Sequence, residues 1–272
     1  MRWLPFRRAW HNPIFRGGLE AFMRHPTYRA HALNYLLALA TVLFVTWPRE
    51  GFVSLRDLPF TYNALGGWAL ITLAFVALTQ GSHKVLETRA LTLHDWLQLA
   101  PLRAGTFLRG YLAASLLEMV LLWALSLPLL LLAARVAGEP LSHVSQGMLI
   151  ILVCVGSYRT VGVTLLTLLE RDEFLLYILT RICYVCVILA SGFVLPLANP
   201  VLAFADASIW PSRLSRWTLY GYPWRGWVAT VGLHLLLAGA FYIIAGIRVH
   251  WVQRRGAALA ASDGGPVDGH TS

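Results

Sequence analysis

The sequence predicts an all-α integral membrane protein with six transmembrane helices. Of its 272 residues, 57% are hydrophobic and only 13% are charged, whereas soluble domains carry about 25% charged residues. A helix of about 20 apolar residues crosses a bilayer, and six apolar runs approach or exceed that length: residues 31–48, 64–81, 111–134, 147–169, 174–198 and 226–247. This composition excludes a soluble enzyme, a disordered chain and a nucleic-acid-binding module, despite a net charge of +9.

The basic residues predict the orientation of these spans. If both termini are cytoplasmic, the inner segments 1–30, 82–110, 170–173 and 248–272 hold 14 lysines and arginines, and the outer segments 49–63, 135–146 and 199–225 hold 6. Cytoplasmic loops carry an excess of basic residues, so both termini are expected inside the cell. The first apolar run begins only after residue 30 without a small-residue cleavage site, and we therefore expect no cleaved signal peptide.

The N-terminal segment, residues 1–30, predicts an amphipathic helix before the first span. Asn12 is a good N-cap and Pro13 suits the first helical position, while Pro26 should end or bend the helix. Apolar residues then recur at helical spacing on one face: Phe15, Leu19, Phe22 and Met23. Arg16, Glu20 and Arg24 occupy the other side. Such a helix is expected to lie along the inner leaflet.

The transmembrane domain, residues 31–247, has four further local features. Pro128 should kink the third span. The connection at 170–173 is so short that the fourth and fifth spans should be antiparallel neighbours. Cys154, Cys183 and Cys186 are expected to be packing residues. The outer loop at 199–225 is rich in tryptophan and tyrosine, which indicates either a segment that re-enters the outer leaflet or an ordinary aromatic belt. The tail at 248–272 should be cytoplasmic and disordered from Gly256 onward.

The cytoplasmic segment at about 82–104 predicts a second amphipathic helix. Apolar residues recur at helical spacing: Leu86, Ala90, Leu93 and Leu97. Charged residues interrupt them, namely Lys84, Glu87, Arg89 and Asp95, and Pro101 should stop the helix. Two interpretations remain open, a helix that binds a second protein and a helix that lies on lipid.

Three ionisable residues fall well inside predicted spans: Glu118, Arg159 and Arg181. Counted from the cytoplasmic ends of their spans, they lie at depths of ~11, ~15 and ~11 Å. Charges at such depths usually pair or face a wet interior, so Glu118 is expected to pair with Arg159 or with Arg181. The remaining arginine would snorkel or contact an anionic group in a translocation pathway. His234 is expected to make a packing or polar contact; no catalytic or metal-binding set is predicted.

Several short motifs, taken in order, resemble the permease subunits of type-2 ABC exporters. Asn12-Pro13-Ile14 resembles the start of the family's elbow helix. Glu87-Thr88-Arg89 and the run from Leu97 to Leu102 resemble its coupling region, and two later stretches resemble the opening and the Leu-Pro of its long third span, namely 107–111 and 125–128. Gly17-Gly18 departs from the pattern, because the elbow is often charged there.

The resemblance implies a six-helix permease with an elbow helix and a cytoplasmic coupling helix, located in the plasma membrane (the inner membrane of a bacterium). By this resemblance the coupling helix contains Glu87, Arg89, Leu93, Asp95, Trp96 and Leu97, and receives the stroke of separate cytoplasmic ATPase subunits. A second permease copy or a sister permease would complete the pathway, with membrane lipids around it. The sequence contains no P-loop motif, so ATP is expected to bind to the partner subunits and no cofactor to this chain.

Two other functions compete with transport. A membrane-embedded enzyme would need a nucleophile with a base, or metal ligands, at matching depth, and Glu118, His234 and the cysteines form no recognisable set. A non-transporting membrane assembly or scaffold protein would use the same helices without a partner ATPase. The transported substrate cannot be inferred from the residues.

Overall fold

The computed structural model describes residues 12–24, 26–48, 60–87, 103–169, 172–207, 217–219, 222–224 and 226–263. Nine α-helices lie within these ranges: α1 Pro13–Arg24, α2 Pro26–Val45, α3 Phe60–Glu87, α4 Ala104–Ala137, α5 Leu141–Leu168, α6 Glu173–Val185, α7 Ser191–Val194, α8 Pro200–Ala207 and α9 Gly226–Asp263. A π-helical turn, Cys186–Ala190, joins α6 to α7, and a 3₁₀ turn, Pro196–Ala198, precedes α8. Two short antiparallel strands, β1 Trp217–Leu219 and β2 Tyr222–Trp224, form a hairpin before α9.

Six helical stretches within the described ranges are long and apolar enough to cross a membrane: Tyr28–Val45, Phe60–Thr79, Ala104–Ala137, Leu141–Leu168, Phe174–Val194 and Gly226–Arg255. The predicted class, an all-α multi-pass membrane protein, is confirmed. The third and fourth spans, α4 and α5, begin earlier than predicted, at Ala104 rather than 111 and at Leu141 rather than 147. Polar residues such as Thr106 and Arg109 occupy the added turns of α4, so hydropathy alone missed them. The helix α4 continues through Pro128.

Helix α5 is the centre of the bundle. Of its membrane-spanning residues, 78% are buried by the rest of the protein, against 17% for the span in α9. Helix α5 packs against α3, α4 and α9. The backbone of α3 comes so close that a Cβ on Gly162 would lie 2.9 Å from the carbonyl oxygens of both Ala77 and Leu78. Glycine is therefore required at this contact, because a larger residue would push α3 away.

The predicted N-terminal helix is present and packs on α4. Its cap is as expected: Asn12 Oδ1 accepts from the Ile14 amide at 3.0 Å, and Asn12 Nδ2 donates to the Thr106 carbonyl at 2.9 Å. A Cβ on Gly18 would lie 2.9 Å from the Cβ of Ala114. This close approach gives a physical reason for a glycine at position 18.

The predicted amphipathic character of α1 is also visible in its exposure. Phe15 is buried, whereas Arg16 and Glu20 are exposed and form an i,i+4 ion pair at 3.3 Å. As predicted, the helix ends before Pro26, which is the first residue of α2.

Helices α5 and α6 are in contact, as the short connection predicts, but α6 packs more extensively on α3. The rings of Phe75 and Tyr184 meet edge to face there, with centroids 5.3 Å apart. Asp172 caps α6 by accepting from the Leu175 amide at 2.9 Å. The fifth span ends earlier than predicted, at Val194 rather than 198, because the backbone of Leu195 is not helical.

The start of the predicted outer loop returns into the bundle. Asn199 caps α8 by accepting from the amides of Val201 and Leu202, and its Nδ2 donates to the Ile188 carbonyl in the π-helical turn at 2.9 Å. The Phe204 ring then fills a position that only glycine leaves open, since a Cβ on Gly66 would lie 2.0 Å from it. Gly66 is six residues into α3, or about 9 Å along the helix axis. Both interpretations of the aromatic loop stay predictions, and residues 208–216 lie outside the described part of the chain.

The C-terminal tail differs from its prediction. Helix α9 extends to Asp263, whereas disorder was predicted from Gly256. The sequence Ala257-Ala258-Leu259-Ala260-Ala261 has high helix propensity, which continues the preceding span as helix. Residues 264–272 lie outside the described range.

Candidate functional site

The candidate site is a polar stretch of α5 buried in the apolar bundle. Ser157, Tyr158, Arg159 and Thr160 follow one another along the helix, and all four side chains are buried. Consecutive helical residues point in different directions, so this stretch presents polar groups to α4 on one side and to α9 on another. Each buried polar group needs a partner, because water is excluded there.

An ion pair joins α5 to α4. The guanidinium Nη2 of Arg159 donates to Glu118 Oε2 at 3.0 Å, and the two side chains are 0% and 1% exposed. The predicted pairing of Glu118 is therefore present, with Arg159 rather than Arg181 as its partner. Charges so deeply buried are costly to desolvate, and mutual neutralisation offsets that cost only while both partners remain.

The guanidinium of Arg159 has further donors. Its Nε and Nη1 are buried and have no hydrogen-bond partner among the described residues. The Tyr111 hydroxyl, on α4 two turns before Glu118, is likewise buried without a hydrogen-bond partner among those residues. The centre of the bundle thus holds more buried hydrogen-bonding groups than the one ion pair satisfies.

Arg181 lies apart from this cluster. Its guanidinium stacks 3.4 Å from the centroid of the Tyr177 ring, and its Nη1 donates to the Tyr177 carbonyl at 3.3 Å. Cation–π contact and a backbone acceptor one turn earlier stabilise this charge locally.

A second connection joins α5 to α9 through His234. His234 Nδ1 lies 2.8 Å from the Thr230 carbonyl oxygen, which can only accept, so Nδ1 carries a proton. In the neutral imidazole Nε2 is then the acceptor, and the Tyr158 hydroxyl donates to it at 2.6 Å. Ser157 Oγ donates to the His234 carbonyl at 2.6 Å. The predicted polar contact of His234 is confirmed. Both of its ring nitrogens make hydrogen bonds, one to the Thr230 carbonyl and one to the Tyr158 hydroxyl.

Further hydrogen bonds connect α5 and α9 toward their C-terminal ends. Thr164 Oγ1 donates to the Phe241 carbonyl at 3.0 Å, and Arg248 Nε donates to the Thr167 carbonyl at 3.3 Å. The contacts on α9 recur every seven residues, at 234, 241 and 248, as expected for two parallel helices in continuous contact. This row was not among the sequence-based expectations; of the threonines of α5, Thr164 is the one whose hydroxyl makes a contact in this row.

The cysteines make no disulfide. Cys154 is buried in the core, Cys183 is partly buried and Cys186 is exposed at the start of the π-helical turn. Among the described residues, no three His, Cys, Asp or Glu side chains converge as a group that would bind a metal ion.

The predicted coupling residues fall largely outside the described ranges. Helix α3 continues past its span to Glu87, its last residue, but the side chain of Glu87 is outside the described part. So are the other five coupling residues: Arg89, Leu93, Asp95, Trp96 and Leu97.

No protein-family model matches the chain, and no curated protein matches it either. The polar cluster therefore has to be interpreted from its own geometry. Its ion pair joins α4 to α5, and its hydrogen bonds join α5 to α9, so the cluster fixes the arrangement of these three helices.

Proposed function

We propose that this chain is the permease subunit of an ATP-driven ABC exporter, coupled to separate cytoplasmic ATPase subunits. The order of its motifs supports this proposal, as does an architecture of six apolar spans in 272 residues. Glu118 and Arg159 would keep α4 and α5 together during the transport cycle, and Arg181 would lie near the pathway or the lipid.

The packing of α1 on the first turns of α4 is the observation that carries the proposal. Asn12 bonds to Thr106 and Gly18 meets Ala114, and α4 directly follows the predicted coupling segment at about 82–104. A force applied to that segment would reach α1 and α4 together. Through the ion pair of Glu118, it would then reach the buried centre of α5.

The experiment begins with affinity purification of the full chain from native membranes in mild detergent. The expected result is stoichiometric recovery of a P-loop ATPase, its loss in the variant Asp95→Arg, and its retention in the control Ser142→Arg. Ser142 is exposed in the first turn of α5, at the opposite membrane face from the coupling segment. Recovery of the chain with a stoichiometric partner that lacks a P-loop would favour the scaffold interpretation; recovery without any ATPase would contradict the proposal.

Neighbouring glycines provide a second test of coupling. Gly18→Leu should force α1 away from Ala114, whereas a Cβ on Gly17 meets nothing within 4 Å. We expect the permease to stop influencing the rate of ATP hydrolysis by the ATPase subunits in Gly18→Leu. In Gly17→Leu this influence should be kept. Equal hydrolysis in both variants would show that α1 does not take part in coupling.

A further inference from the structure

A groove between the start of α4 and the C-terminal part of α9 has no role in the proposed function. It encloses a cavity of about 650 Å³, within the usual range for a small-molecule site. Its apolar wall includes Leu108, Tyr242, Ile243 and Ile247. The side chain of Gln253 fixes its end by accepting from the Ala104 amide at 3.0 Å. We call this cavity the α4–α9 groove.

The polar lining of the α4–α9 groove is basic. Arg109 from α4 and both His250 and Arg254 from α9 contribute to it, and all three are exposed. None of the described residues that line the groove is acidic. A ligand with a negative charge at one end and an apolar body at the other would complement this arrangement.

The position of the groove along α9 corresponds to the boundary of the bilayer. Counted from Gly226, the ~30 Å hydrocarbon core ends near residue 246, because a helix rises 1.5 Å per residue. Tyr242 and Ile243 then lie within the core, whereas His250 and Arg254 lie at the level of the headgroups.

Trp251 strengthens this placement. Its ring lies between two guanidinium groups, with the centroid 4.9 Å from Arg248 Cζ and 3.8 Å from Arg255 Cζ. Tryptophan prefers the membrane–water interface, and the two flanking arginines add positive charge beside the groove.

We propose that the α4–α9 groove binds one anionic phospholipid. The phosphate lies between Arg109 and Arg254, and an acyl chain lies along Tyr242 and Ile247. Basic pockets between transmembrane helices at this level are suited to such headgroups. The apolar wall distinguishes a phospholipid from free phosphate, which would leave that wall uncovered. The proposal is independent of the transport function.

The experiment uses the full chain in nanodiscs that contain phosphatidylglycerol and phosphatidylcholine in equal amounts. Native mass spectrometry after release from the nanodiscs counts the lipids of each class that remain bound. We expect selective retention of one phosphatidylglycerol. The ratio of retained phosphatidylglycerol to retained phosphatidylcholine should fall about five-fold for Arg109→Gln or Arg254→Gln, and about thirty-fold for the double variant.

The matched control is Arg135→Gln, an exposed arginine in the last turn of α4 at the opposite membrane face, which should retain the lipid fully. A second variant, Gly246→Leu, leaves every arginine in place and fills the apolar half of the groove, since a Cβ there makes only an ordinary contact with Leu108 at 4.0 Å. It should also lose the lipid.

Three results would overturn the proposal. The first is equal retention of both lipids by the unmodified chain. The second is unchanged selectivity in both the arginine double variant and Gly246→Leu. The third is displacement of the lipid by inorganic phosphate, which would identify a site for the free anion.

Discussion

At the scale of single residues, the ion pair of Glu118 and Arg159 is a fully buried charge contact between two spans. Neither side chain reaches solvent, so the loss of one partner leaves the other charge buried. The pair also connects the face of α4 that carries Glu118 to the buried centre of α5.

We expect Glu118→Gln to destabilise the folded protein by about 3–5 kcal/mol, because Arg159 would remain buried without a counter-charge. Arg159→Gln should have a similar effect, and the double variant should recover most of the loss. Unfolding in mixed micelles measures these differences. The control Glu20→Gln, which removes an exposed ion pair, should cost at most about 1 kcal/mol. Absence of recovery in the double variant would contradict the pairing argument.

Tyr158 provides the second prediction at this scale. Tyr158→Phe removes the donor to His234 Nε2 and should cost about 1–3 kcal/mol, because a buried acceptor loses its partner. Tyr177→Phe serves as the control, since its side chain is 51% exposed; its stability should be nearly unchanged. Equal effects in the two variants would show that the contact with His234 adds nothing. Unfolding in mixed micelles is again the measurement.

At the scale of helices, close backbone approach depends on glycines at particular positions of α5. Gly162→Ala places a Cβ 2.9 Å from two carbonyl oxygens of α3, whereas Gly156→Ala meets only Leu116 Cδ2 at 3.8 Å. We expect the first substitution to destabilise by about 1–3 kcal/mol, and the second to be neutral or stabilising because alanine favours helix. Thermal unfolding of both variants in the same detergent tests this difference. A loss in Gly156→Ala as large as in Gly162→Ala would contradict the role of the α3 contact.

Local sequence signals predicted some elements well. Asn12-Pro13 marks a helix start through its own cap, and Pro26 marks the next, because these rules act within one turn. The need of Glu118 for a partner was predictable, since an isolated charge is costly in any membrane. That Glu118 pairs with Arg159 rather than with Arg181 was not predictable, because the partner depends on which helix packs against α4.

Other elements depend on contacts between distant parts of the chain. The Phe204 ring occupies space that is open only because Gly66 on α3 and Gly147 on α5 have no side chain at that level. No local sequence pattern reveals this arrangement. The π-helical turn is stabilised by Asn199, eleven residues after the Ile188 carbonyl that it bonds. Tertiary packing thus determined the details of the candidate site, whereas hydropathy determined the spans.

At the scale of the whole molecule, the distribution of basic residues predicts that α1 and the end of α9 share the cytoplasmic face. In a variant without natural cysteines, Ser142→Cys should react with a membrane-impermeant maleimide in intact cells, since Ser142 is exposed and the predicted orientation puts this end of α5 outside. Glu20→Cys, exposed on α1, should react only after permeabilisation. The opposite labelling pattern would contradict the orientation derived from the positive-inside rule.

The short link between α4 and α5, Gly138-Glu139-Pro140 with Gly138 at a φ of +72°, has a consequence for biogenesis. A charge at the centre of an isolated helix opposes insertion by about 2.5–3.5 kcal/mol on translocon scales, and α4 and α5 each carry one. Tied by three residues, they can enter the lipid as a helical hairpin with Glu118 and Arg159 already neutralised. A longer linker at this point would separate the two insertion events, so each helix would have to enter the lipid with its charge still unpaired.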